Sequence, residues 1–239
     1  MRAILLAAGR GRRLGQDLPK CLLSIEGRTL LERHVEILAS VGISALTIVV
    51  GYQQEAIRAH VATLKPSLPI DFVENPRFVH GSIVSLQVAA SHLVDGGIWM
   101  DADVLYPAGL MRLLVESQHE NCVLADGRSE ETGEEMMLGT RGGRVSKIAR
   151  RVGKDWDFAG ESVGFARVGA AGAKVMKRFL DEEVNAERLD QEYEAAMDRA
   201  FAEIPFGYER VDAFAWTEID FEEDVIKARK LARLLEISP

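Results

Sequence analysis

The chain has 239 residues, 47% of them hydrophobic and 28% charged, with a formal net charge of −8. That length supports one domain with a sizeable core, and the composition is that of an ordinary soluble enzyme. An acidic body excludes a general nucleic-acid surface, and apolar runs as short as Ala3–Ala8 exclude a membrane span or signal-peptide core, so a cytoplasmic protein without membrane insertion is expected.

In chain order, Ala3–Ala8 reads as a buried strand. Thr29–Val41 reads as a helix with Leu30, Leu31, Val35, Leu38 and Val41 at helical spacing, stopped by Gly42. Ala45–Val50 is a second buried strand, Gln53–Leu64 a helix closed by Pro66, Ile70–Glu74 a strand, Ser82–Leu93 a helix and Ile98–Ala102 a strand. Such alternation predicts crossover units and a Rossmann-like α/β fold: a mainly parallel sheet flanked by helices. From there the pattern changes. Cys122–Ala125, Glu135–Thr140, Arg144–Ala149 and Ser162–Val168 read as strands, with Gly142-Gly143 as a hairpin turn, so a small antiparallel insertion is expected. Ala171–Val184 and Gln191–Phe201 read as helices, Tyr208–Ala213 as a last strand and Phe221–Leu235 as a closing amphipathic helix. Cys21 and Cys122 lack metal-ligand spacing and read as free thiols.

Charge is unevenly spread. Residues 1–20 carry a net of +4 and the remainder −12. Arg10, Arg12, Arg13 and Lys20 lie in a loop that leaves the first strand at its carboxyl end, where open α/β sheets bind ligands. Gly9 and Gly11 let such a loop turn its N–H groups towards an anion. The dinucleotide fingerprint fails, because its third glycine falls on Leu14 and no ribose-binding acid follows, which disfavours a dehydrogenase. No Gly-Lys-Ser/Thr follows either, so the loop is not of the Walker type.

"LAAGRGRRLG" followed by "PKCLL" resembles the signature of the nucleotidyltransferase superfamily: Leu-Ala-Ala-Gly-x-Gly-x-Arg, a spacer, then Pro-Lys. The later "WTEIDFEEDVIKARK" is similar to a motif of the cytidylyltransferases that act on phosphocholine and related phospho-alcohols. The resemblance implies transfer of a nucleoside monophosphate, CMP from CTP, to a small phosphorylated alcohol such as phosphocholine or a phosphonate or inositol phosphate analogue, with release of pyrophosphate. It implies Mg²⁺ as cofactor, held by Asp103 and Asp220, with Asp101 in support. It also implies that Leu6, Ala7, Ala8, Gly9, Gly11 and Arg12 border the triphosphate, that Arg13 meets the β and γ phosphates, and that Lys20 reaches the α-phosphate. Asp220 followed by Glu223 fits a helix capping box equally well, and Glu218 reads as a more distant acceptor or a solvent-facing group.

"ENPRFVHGSIVSLQVAA" is similar to a family segment whose serine falls on Ser85, beside the base and ribose; Tyr52 follows a strand end and borders the same pocket or packs. For the acceptor the resemblance points to Lys147, Arg150, Glu161, Glu194 and Trp216, with Tyr193 and Glu194 set to meet an amine or quaternary ammonium; Lys147 and Arg150 also fit plain surface charges, and Trp216 also fits a packing role beneath the pocket. Tyr193 and Met197 also fit the core stripe of a helix. One nucleotidyltransferase domain is thus expected over residues 1–239. About 1–120 and 205–239 form its nucleotide- and metal-binding core, and about 121–204 an acceptor-binding insertion. Monomer and homodimer both fit. The alternatives are a sugar-1-phosphate nucleotidylyltransferase using UTP, dTTP, CTP or GTP, and a nucleotide-binding regulatory subunit, which would be expected to lack Lys20 or a metal aspartate.

Overall fold

Four parallel strands form the centre of the computed structural model, which describes residues 1–11, 15 and 17–237. They are β1 (Arg2–Leu6), β4 (Ala45–Val50), β5 (Ile70–Glu74) and β6 (Gly97–Asp101), lying side by side in the order β6-β1-β4-β5. The two-residue pairs β2 (Ser24–Ile25) and β3 (Arg28–Thr29) form a separate hairpin. Side chains alternate between the faces as a pleat requires. Ala3 and Leu5 of β1, Leu46 and Ile48 of β4, and Ile98 and Met100 of β6 enter one core, while Ile4, Val49 and Trp99 enter the other.

Helices α1 (Leu30–Ser40), α2 (Gln54–Leu64) and α4 (Ala108–Glu116) cover the first face, and α3 (Ser82–Ala89), α5 (Ala170–Asn185) and α6 (Glu194–Ala200) the second. Thr29 starts α1 by a reciprocal exchange with Glu32: each side chain bonds the other's backbone N–H, at 3.1 and 2.6 Å. The expected helix Ser82–Leu93 is α-helical only to Ala89 and continues as a 3₁₀ turn over Ala90–Leu93. Helix α4, not anticipated from the sequence, buries Leu110, Met111 and Leu114.

Strand β11 (Phe158–Val168) joins the two halves. Its last residues pair antiparallel with β6, and its first with β9 (Met137–Arg141), which turns at Gly142-Gly143 into β10 (Arg144–Ala149). On its other side β11 meets β8 (Cys122–Asp126), which takes β12 (Gly207–Arg210) as a parallel neighbour. The fold is the expected α/β architecture with a mainly parallel centre and antiparallel additions. The added strands extend one nine-stranded sheet.

The last helix, α7 (Glu222–Ile237), docks through Ala228, Leu231 and Ala232 onto Leu23, Ile25, Leu105 and Ile219. Both cysteines are free and buried. No helix among the described residues is long and apolar enough to cross a membrane.

Candidate active site

The loop after β1 is held where it leaves the strand. Ala7 N–H donates to Val49 O and Tyr52 N–H to Ala8 O, each at 3.0 Å, so residues 7–9 lie against the end of β4. Gly11 adopts φ +61°, and a Cβ there would lie 2.6 Å from Lys20 Cγ, so only glycine lets the lysine stem pass. Lys20 opens a 3₁₀ turn, Lys20–Leu22, directly after Pro19. Burial of Cys21 and Leu22 fixes that turn and directs the ammonium back across the sheet end.

Opposite the loop, β6 ends at Asp101 and Asp103 follows. The next strand, β7 (Val104–Leu105), pairs antiparallel with β13 (Thr217–Glu218), and Ile219 N–H donates to Asp103 O at 3.0 Å. This small ladder brings Asp103, Glu218 and Asp220 together, one oxygen of each lying within 4.8 Å of the others. Lys20 Nζ donates to Asp103 Oδ2 at 2.7 Å and also to Asp220 Oδ1.

The electrostatics follow from this crowding. Burial alone would lower the Lys20 pKa, but Asp103 and Asp220 outweigh it and raise it, so the ammonium stays charged. The cleft walls, then the charges of Asp103 and Asp220, push the Glu218 carboxyl up to about 8, although water reaches its side chain at the rim. Burial, then Asp103, Glu194 and Glu218, holds Asp101 well above the usual carboxylate range; Tyr193 Oη donates to Asp101 Oδ2 at 2.9 Å and opposes this. Gly164, at φ +78°, lies against the same carboxylate, where a Cβ would collide with Oδ2. Three convergent carboxylates are the hard oxygen donors that a divalent cation such as Mg²⁺ or Mn²⁺ prefers, so the residues present fit a divalent metal.

A cleft of about 360 Å³ runs from this cluster across the sheet ends. Leu6, Ala8, Gly9 and Ser85 line one part of it, and Arg150, Glu161 and Glu194 another. An adjoining cavity of about 120 Å³ contains Ala7, Gly11, Lys20 and Asp103. Ser85 is buried and accepts from Asn75 Nδ2 at 3.0 Å. Tyr52 lines a neighbouring hollow with Gly9, Arg10 and Phe78; its hydroxyl donates to Asp17, and its ring lies under the Arg10 guanidinium at 5.3 Å. Arg12 and Arg13 lie outside the described residues.

The five proposed acceptor residues divide. Arg150, Glu161 and Glu194 face the cleft, where Glu161 accepts from Ser129 Oγ and burial raises the Glu194 carboxyl to about 7. Lys147 and Trp216 are not among the cleft's lining residues. Lys147 Nζ pairs with Asp198 Oδ2 at 2.7 Å, and Trp216 Nε1 donates to Asp126 Oδ2 at 2.8 Å; both tie strands to neighbouring elements. The capping reading of Asp220 with Glu223 gives way to another: Asp224 Oδ2 accepts the N–H groups of Asp220 and Phe221, at 3.2 and 3.0 Å, and Asp220 Oδ1 faces Lys20. Tyr193 is buried in the core and touches the cleft through its hydroxyl, combining two roles set apart in the sequence reading. Glu218, read from the sequence as a more distant acceptor or a solvent-facing group, stands with Asp103 and Asp220 in the carboxylate cluster. In "TEID" it stands two residues before Asp220, and that spacing puts both on one face of an extended segment.

Residues 3–158 match the MobA-like NTP transferase domain, and the chain belongs to that family of nucleotidyltransferases. It is 27% identical over 237 residues to the bifunctional IPC transferase and DIPP synthase of Thermococcus kodakarensis, a match covering 96% of this chain and 50% of that protein. The chain therefore spans about half the length of that relative. Among solved structures, the inositol-1-phosphate CTP transferase from T. maritima superposes with a TM-score of 0.81 at 19% identity, covering 99% of this chain and 96% of that one. The CTP:phosphocholine cytidylyltransferase from Streptococcus pneumoniae gives 0.79 at 23% identity, covering 97% and 98%. These two likenesses are likenesses of fold.

Proposed function

We propose that this nucleotidyltransferase is a cytoplasmic cytidylyltransferase, monomeric or homodimeric, that moves CMP from CTP to a small phosphorylated alcohol such as phosphocholine or a phosphonate or inositol phosphate analogue. Pyrophosphate is the second product. The observation that carries this reading is the meeting of Lys20 with Asp103 and Asp220 beside the loop 7–11. Cytidine is favoured because two of the fold neighbours are named for CTP.

In this reading the backbone of residues 8–12 follows the triphosphate, and Lys20 and Arg13 neutralise charge on the α-phosphate and on the departing pyrophosphate. Asp103, Asp220 and Glu218 would hold Mg²⁺, which supplies charge neutralisation at the phosphates when bound. Ser85 and Tyr52 border base and ribose. The acceptor phosphate, with a second pKa near 6, is largely a dianion at neutral pH and attacks the α-phosphorus in line; no general base is required. Positioning therefore carries much of the rate. Arg150 would meet the acceptor phosphate. Glu194, buried, and Asp101, half-buried, both line the cleft and favour an acceptor that also carries an amine.

A sugar-1-phosphate nucleotidylyltransferase is the second reading, since the loop and carboxylates would serve a sugar phosphate equally. The test is pyrophosphate release with each NTP against a panel of phosphorylated alcohols, phosphonates and sugars. CTP with an alcohol phosphate is expected to give the highest kcat/KM; preference for a sugar phosphate would favour the second reading, and absence of turnover with any pair would overturn both.

A further inference from the structure

The Lys20 ammonium sits where two of the three carboxylate ligands of the candidate metal site converge. It donates to Asp103 Oδ2 at 2.7 Å and to Asp220 Oδ1, oxygens that belong to the same 4.8 Å cluster as Glu218. The contact is sheltered: the Lys20 side chain is 16% exposed and that of Asp103 19%, so it is no loose surface pair dispersed by water. The stem is confined as well, because Gly11 packs against Lys20 Cγ. What remains free to swing is the end of the chain, between the carboxylates on one side and the loop 7–11 on the other.

We propose that Lys20 stands in for the metal in the nucleotide-free protein, so that a divalent cation is excluded until a triphosphate draws the lysine away and enters with it. A bare divalent ion placed on these oxygens would meet an ammonium a few ångströms off, and the two positive charges would repel strongly in a site only partly open to water. Phosphate oxygens along the loop change the balance, since they accept the lysine and add negative charge. The empty protein then has a poor affinity for free metal, and metal and nucleotide bind as one unit. The inference rests on the reading of Asp103, Glu218 and Asp220 as metal ligands.

The experiment is Mn²⁺ binding to the nucleotide-free full chain, read by the electron paramagnetic resonance of free Mn²⁺ and by the shift in melting temperature, for wild type, Lys20→Met and Lys20→Arg. Lys20→Met is expected to bind Mn²⁺ on the order of tenfold tighter than wild type and to melt higher with Mn²⁺. Lys20→Arg keeps the charge and should bind as weakly as wild type. A Lys20→Met protein that melts lower than wild type alone and is restored by Mn²⁺ also supports the proposal, because the ion then takes the place of the lost ammonium. Equal Mn²⁺ affinity in wild type and Lys20→Met overturns it while leaving the metal assignment in place. No Mn²⁺ binding by Lys20→Met overturns the metal assignment and the proposal together.

Discussion

The two ends of the cleft are built on different principles. At the end proposed for the nucleotide a glycine loop, one lysine and three carboxylates arrive from the ends of β1, β6 and the short β13, held by backbone bonds such as Ile219 N–H to Asp103 O. At the end proposed for the acceptor the polar side chains come from separate elements and are held by side-chain bonds: Glu161 with Ser129, Tyr193 with Asp101, and Arg150 with the Glu134 carbonyl. A constellation held by the main chain tolerates little substitution, whereas a lining of side chains can be re-cut for another acceptor. The difference fits a fold whose neighbours include proteins named for quite different acceptors.

That contrast can be broken at either end. Asp103→Asn should lower kcat by about 10³-fold with the fold retained, checked by circular dichroism beside the rate, since a negative charge of the cluster is lost. Lys20→Ala should cost about 10²–10³-fold in turnover with the fold retained, checked by circular dichroism beside the rate; near-normal turnover would remove Lys20 from the reaction.

The third test addresses the support beneath the nucleotide end. His34 is buried between Tyr106 Oη and Ala102 O, each 3.2 Å away, and Ala102 lies between Asp101 and Asp103. Burial lowers its pKa to about 4. Above pH 6.5 the imidazole is neutral in both states. As pH falls from 6.5 to 4, the unfolded chain takes up a proton that the folded protein refuses, so stability drops across that window by about 3 kcal/mol. Denaturant melts should show this slope in wild type and a flatter one in His34→Gln.

The smallest effect is expected at the other end: Glu194→Gln should raise the acceptor KM about tenfold and leave the NTP KM unchanged. Equal movement of both constants would mean that the two ends are not separable.

Much of the nucleotide end was legible because its signals are local. A strand, two glycines and Pro-Lys fall within the first twenty residues, and β6 delivers Asp103 at its tip. The Gly142-Gly143 turn and the alternating strands were legible for the same reason. The place of Glu218 was less so: its spacing from Asp220 is visible, but its meeting with Asp103 depends on β7 and β13, two-residue strands whose pairing leaves no periodicity to detect. The surroundings of Lys147 and Trp216 were not legible either: the ion pair of Lys147 with Asp198 and the bond of Trp216 to Asp126 are set by tertiary packing. Helix α4 did carry a signal, with Leu110, Met111 and Leu114 at helical spacing after Pro107, but Pro and Gly109 obscured it.

The bond from Ile219 to the carbonyl of Asp103 bears on the order in which the molecule becomes competent. Lys20 and Asp220 stand 200 positions apart, and the stretch matched to the family ends at residue 158. A nascent chain that has emerged only that far would possess the loop, the lysine and one acid, but neither of the other two. In the proposed reading the site closes only when the segment bearing Glu218 and Asp220 has been synthesised and laid against β7, so binding of a metal–nucleotide complex would report completion of folding rather than its beginning.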